Sequence, residues 1–183
     1  MVAALAAFAG CVDDGEGHVA VYVKDAPADE FEEVWLAFHE VRVHAAGGDE
    51  DADDDNATEG WIVVSEGNRT INLLDYEEEG SRAFLGDANL SAGRYTQIRL
   101  MVTAAWGIDA EGNRTDIRIP NPTVKVVKSF EVEDGETTRL VIDVDLDRSL
   151  HGRSDAPVLT PVIGSVDVEK DVEDEGDDVA DDG

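Results

Sequence analysis

Cysteine occurs once in the 183 residues, at Cys11. With no second thiol, a disulfide framework and a thiolate metal cluster are both excluded. Basic residues are scarce too: 14 Lys and Arg stand against 43 Asp and Glu, and only Lys24, Lys125, Lys128 and Lys170 are lysines. Nucleic acid demands a basic footprint that this balance does not supply, so it is not an expected partner. Direct adsorption to an anionic membrane surface is unexpected on the same ground. The apolar run from Ala3 to Cys11 is nine residues, too short to cross a bilayer as a helix. No persuasive helical period appears anywhere in the chain. Ser-His-Asp order, a nucleophile elbow, a phosphate loop and a dinucleotide fingerprint are all missing, so no cofactor is indicated and a non-catalytic role is expected.

What is present begins at Cys11. It follows the small residues Ala9 and Gly10, and a polar leash of Val12-Asp13-Asp14-Gly15-Glu16-Gly17 comes behind it. This layout resembles the lipobox of a secreted lipoprotein, where cleavage precedes a cysteine whose thiol then carries diacylglycerol. The run before it reads as a signal h-region. No basic segment precedes that run, and a truncated start is the expected reason. Two acyl chains suffice for stable attachment where one does not. The expected organisation is therefore a truncated h-region over 1–10, a lipidated cysteine and leash over 11–17, a folded domain over 18–168, and a disordered acidic tail over 169–183.

Twenty of the acids fall in three polar stretches, the leash, the loop at 49–59 and the tail from Asp167. The other 23 are spread through the domain and still outnumber its basic residues. A uniformly acidic, lysine-poor surface resembles proteins of salt-loving microbes, of the haloarchaeal kind. At low ionic strength such charge repels itself, whereas at about 1 M salt the Debye length falls to ~3 Å and the repulsion is screened.

Short alternating runs dominate from His18 onward. Val19, Val21 and Val23 share one face of a first strand, which Asp25-Ala26-Pro27-Ala28-Asp29 ends. Val34, Leu36 and Phe38 share a face of the next strand, but Val41 and Val43 have the opposite parity. One extra residue at His39-Glu40 restores the face, as a β-bulge does. Glu66-Gly67-Asn68 and Glu111-Gly112-Asn113 read as hairpin turns. Residues 75–90 read as irregular, with one helical turn near Ser81 to Leu85. A long strand follows Ser91-Ala92-Gly93, then strands over Val126–Val132, Thr138–Leu146 and Val158–Val168. The predicted fold is all-β, a β-sandwich of immunoglobulin-like or transthyretin-like type with eight to ten antiparallel strands.

Several of these segments carry a resemblance. Val23-Lys24-Asp25-Ala26-Pro27-Ala28-Asp29, Phe38-His39-Glu40-Val41-Arg42-Val43-His44, Ile71-Asn72-Leu73-Leu74, Ala92-Gly93-Arg94-Tyr95-Thr96-Gln97-Ile98-Arg99-Leu100 and Leu159-Thr160-Pro161-Val162-Ile163 are similar to the domain of unknown function 4382. The resemblance spans about residues 17–168. It implies an extracytoplasmic domain of bacteria and archaea, often behind a lipobox, and no established activity, so no catalytic residues carry over.

Candidate sites are few. His39-Glu40-Val41-Arg42-Val43-His44 superficially resembles a zinc-protease motif. That chemistry needs His at i and i+4 on a helix, and here the spacing is five on a strand. Asp143, Asp145 and Asp147 line one strand face and are weak metal candidates, since alternate residues sit ~6.8 Å apart. Asp171 to Asp182 matches a calcium loop only in part. Asn56, Asn68, Asn89 and Asn113 each begin a glycosylation sequon at an expected loop or turn. Trp35, Trp61 and Trp106 are available for a sugar platform, although tryptophans in a sandwich also serve as core or rim packing.

The expected function is a lipid-anchored cell-surface module that binds an envelope protein or polysaccharide. The alternatives are a cation-dependent adhesive or structural module and a secreted hydrolase with a site built from loops. The charge balance makes one outcome testable: the folded state needs molar salt. After dialysis into dilute buffer the near-UV circular dichroism should vanish, and its retention would refute the halophilic reading.

Overall fold

The computed structural model describes residues 15–26, 31–47, 60–76, 81–153 and 155–171. Cys11, Asn56, the Pro27 strand break and the acidic tail beyond Asp171 lie outside the described residues. Eleven strands follow in order: β1 Glu16–Ala26, β2 Glu33–Ala45, β3 Trp61–Asn72, β4 Ala83–Ser91, β5 Gly93–Ile108, β6 Arg114–Ile117, β7 Thr123–Val132, β8 Thr137–Asp145, β9 Leu150–Arg153, β10 Ala156–Leu159 and β11 Ile163–Lys170. A four-stranded sheet has the order β11-β8-β1-β4. A five-stranded sheet runs β3-β2-β5, and β5 then pairs β7 along its first half and β6 along its second. β9 and β10 form a separate hairpin.

The two sheets share one hydrophobic core, as expected for a sandwich. Val19, Val21 and Val23 of β1 are fully buried, as are Leu140 and Ile142 beside them on β8. Each such side chain contributes roughly 1.5–3 kcal/mol through removal from water. β1 and β8 run parallel, contrary to the antiparallel expectation, while β11 closes the far side of β8 antiparallel. Parallel pairing is possible because β7 and β8 are not a hairpin: the chain leaves β7 in one sheet and enters β8 in the other.

Three further expectations are corrected. Glu66-Gly67-Asn68 makes no hairpin; β3 continues through it beside β2, with Phe38 opposite Arg69 and Glu40 opposite Glu66. Gly67, at φ 122°, is spent on a bulge instead of a reversal. Residues 83–91 are strand β4, and the helical turn lies earlier, as a 3₁₀ turn over Leu73–Tyr76. The alternation of β4 is hidden by a register shift at Val21/Tyr22, beside Gly86. A Cβ on Gly86 would lie 2.2 Å from the Ser65 side chain of β3, so glycine lets the two sheet edges meet. Lastly, the expected strand over Val158–Val168 is split, because Ser149 accepts from Thr160 N–H through its carbonyl and from Val162 N–H through its hydroxyl, both at 2.8 Å.

Tyr95 shows how the start of β5 is fixed. Its ring stacks on Phe130 with centroids 5.2 Å apart, and its hydroxyl donates to the Ser91 carbonyl at 2.9 Å. Burial pushes the phenol above its ordinary pKa. Tyr95→Phe keeps the ring and removes one hydrogen bond, so stability should fall by about 1 kcal/mol. Chemical denaturation checks this, and an unchanged midpoint would show that the bond contributes nothing.

Candidate functional site

The candidate site is the outer face of the five-stranded sheet, and its composition depends on bulges. Core-facing residues of β2 are Val34, Leu36 and Phe38, then Val41 and Val43. On β5 they are Ile98, Leu100 and Val102, then Ala105 and Gly107. Each strand changes parity at midlength: His39 is extra on β2 and Thr103 is extra on β5. His39 was legible in the sequence as a bulge. Its Nδ1 lies 3.1 Å from Asn68 Oδ1 on β3, while Thr103 Oγ1 donates to the Ala37 carbonyl at 3.3 Å.

At one end of this face Trp35 and Trp106 are cross-strand partners. Their rings are near parallel, 8° apart with centroids 6.1 Å apart, and the Arg114 guanidinium lies 4.3 Å from the Trp106 centroid. Trp35 Nε1 donates to Glu33 at 2.7 Å, and Arg114 donates to Asp116 through two nitrogens. Both indoles remain partly exposed.

The other end is basic. Arg42 of β2 is opposite Arg99 of β5, which is opposite Lys125 of β7. Val63 on β3 completes this row, and Val127, the next outward residue of β7, is 76% exposed. Arg42 pairs with Glu40 at 2.5 Å, and the Arg99 guanidinium lies 4.1 Å above the Trp61 ring. In the adjacent row His44 packs edge-on against Trp61, opposite Gln97. His44 Nε2, Trp61 Nε1 and Gln97 Oε1 are buried and have no hydrogen-bond partner among the described residues.

The outer face of the four-stranded sheet is different, because its cations are interleaved with acids. Lys24 sits between Asp143 and Asp167, at 3.8 and 3.4 Å. Arg139 pairs with Asp171. At the end of β11, on the side of the β7–β8 turn, Lys170 pairs with Glu133 and Glu136. The hydrogen bond from Lys170 holds the Glu133 carboxyl below its ordinary pKa.

The metal candidates are separated by these roles. Asp143 faces Lys24, Asp145 accepts from Arg148 N–H as the cap of a four-residue helix over Leu146–Ser149, and Asp147 lies exposed in that helix. Among the described residues, no three His, Cys, Asp or Glu side chains are placed to hold one metal ion. His39 and His44 do not converge, since His39 is in the bulge and His44 is buried under Trp61. Only Asn113 of the described sequons sits in a turn: Asp109 accepts from its backbone N–H at 2.7 Å and its amide at 3.1 Å, which lowers the Asp109 pKa. Asn68 and Asn89 lie within strands, and Asn89 is 3.1 Å from His18 Nδ1.

The family model for the domain of unknown function DUF4382 matches residues 16–161, which are the strands from β1 through β10. The chain belongs to this family. No curated protein matches its sequence. Among solved structures, a leucine-rich repeat protein from Bacteroides thetaiotaomicron is similar at 16% identity, with a TM-score of 0.24. The match covers 73% of this chain and 14% of that one. Within this DUF4382 domain, the sequence offered Trp35, Trp61 and Trp106 together for a platform, of which Trp35 and Trp106 stack while Trp61 lies at the other end. The Arg42–Arg99–Lys125 row was missed, because its members become neighbours only through strand register.

Proposed function

We propose that the protein is a non-catalytic, cell-surface binding module, tethered by lipid on Cys11, whose five-stranded sheet takes up a glycan of the envelope. The Trp35–Trp106 stack carries this reading. Two indoles fixed side by side on an outward sheet face offer rigid apolar area to the C–H faces of a sugar ring, at little conformational cost. Neighbouring Glu33, Arg114 and Asp116 supply hydrogen-bonding groups around that area. A binding role also suits the carboxylates of β8, which are engaged in an ion pair and a helix cap. Because β1 begins at Glu16, the leash from Cys11 reaches only about 17 Å at ~3.3 Å per residue, so the domain would work close to the membrane.

Two experiments test the two halves of this reading. Trp35→Ala should abolish retention on the cell's own envelope polysaccharide while leaving the melting temperature within a few degrees of wild type. Equal retention would remove the stack from the binding site. Cys11→Ser should move the protein from the membrane fraction to the soluble fraction, and unchanged sedimentation with membranes would refute the lipid tether.

A further inference from the structure

We infer that the polysaccharide held on this face is acidic, a chain of uronate or sulfated sugars whose anionic groups lie along Arg42, Arg99 and Lys125 while one ring rests against the Trp35–Trp106 stack. The inference builds on the glycan reading and adds the charge of the ligand. Its first support is scarcity. Three of only 14 basic residues, in a chain of formal net charge −29, occupy one cross-strand row. Like charges directly opposite on neighbouring strands destabilise a sheet. Elsewhere the fold avoids that cost by interleaving cations with acids, as at Lys24 between Asp143 and Asp167. Here Arg42 is held by Glu40 and Arg99 rests on the Trp61 ring, while no carboxylate among the described residues forms an ion pair with Lys125, so Lys125 is the cation on which the inference turns.

Geometry supplies the second support. Trp35 and Arg42 are seven residues apart on β2, and Arg99 and Trp106 are seven apart on β5. Odd spacing in a regular strand would place each pair on opposite faces. The extra residues His39 and Thr103 bring all four to one face, about 20 Å apart along the strands at ~3.3 Å per residue. A small anion would occupy only the basic end, whereas a linear acidic polymer spans both. The exposed methyl groups of Val127 beside Lys125 add apolar contact for a ring lying there.

The test uses the full chain at the lowest salt concentration that preserves its near-UV circular dichroism. Binding is measured to polygalacturonate, to neutral dextran of matched length and to phosphatidylglycerol vesicles. Wild type should bind polygalacturonate in preference to dextran, and Lys125→Glu should weaken polygalacturonate roughly tenfold, as expected for one charge-assisted contact. Dextran binding should not change in that variant. Lys125→Glu also relieves like-charge repulsion, so its melting temperature should equal or exceed that of wild type, which separates lost binding from lost folding. Equal affinity for the two polymers, or no effect of Lys125→Glu, would overturn the acidic ligand and leave the glycan reading intact. Failure of wild type to bind either polymer would overturn both. Vesicle binding that Lys125→Glu abolishes, without polysaccharide binding, would assign the row to lipid headgroups and overturn the inference.

Discussion

The outer face of the five-stranded sheet depends on a mismatch in strand length. A β-strand presents alternate residues to alternate sides, so its phase can change only by inserting an unpaired residue. β2 and β5 each insert one near midlength, at His39 and Thr103, and β3 inserts Gly67 and Asn68 opposite His39. Removing one insertion alone would force half of a strand to turn its apolar residues to solvent. The insertions are therefore coupled, and contacts such as His39 with Asn68 and Thr103 with the Ala37 carbonyl tie each to a neighbouring strand. The same line of bulges that keeps Phe38 and Val41 both in the core keeps Trp35 and Arg42 both out of it. Core packing and surface chemistry are thus set by one feature.

Charge follows the same division into sheets. The four-stranded sheet carries paired ions across β1, β8 and β11, where Lys24 lies between Asp143 and Asp167, an arrangement in which the few cations neutralise acids locally. Each such exposed pair is worth little by itself. Their collective effect is to lower self-repulsion in a chain whose acids outnumber its bases threefold. The edges are treated differently. Arg69 donates to the Phe84 carbonyl and Ser65 to the Leu85 carbonyl, so side chains of β3 occupy acceptors on edge strand β4 and discourage further strand addition.

Local pattern made much of the fold legible. The valine alternation of β1, the parity change at His39 and the turn at Glu111-Gly112-Asn113 are written in a few adjacent residues, and each appears in the structure as read. What escaped was non-local. Glu66-Gly67-Asn68 has turn chemistry, yet β2 is long enough to pair on both sides of it, and tertiary pairing decided the outcome. The strand status of residues 83–91 was obscured because Leu85 and Gly86 are consecutively buried and break the alternation. The candidate site divides in the same way. Trp35 and Trp106 are 71 positions apart, and nothing in either neighbourhood specifies their stacking. Arg42, Arg99 and Lys125 look like ordinary surface cations until register aligns them.

Salt changes what such a row can do. In dilute solution three aligned cations would attract an anionic polymer from a distance, but the surrounding acids would repel it and the row would strain its own sheet. At about 1 M salt, with a Debye length near 3 Å, both long-range effects are suppressed. The row then costs the fold little, and recognition of the proposed ligand would fall to groups in direct contact: guanidinium forks on carboxylate or sulfate, and indole against sugar ring. The two ends of the face answer to different physics, since screening leaves aromatic stacking intact while it weakens attraction between charges. In concentrated salt an acidic fold would therefore keep at little cost a basic row that would be a liability in dilute buffer. In the proposed complex the Trp35–Trp106 stack would supply the part of the affinity that screening does not remove.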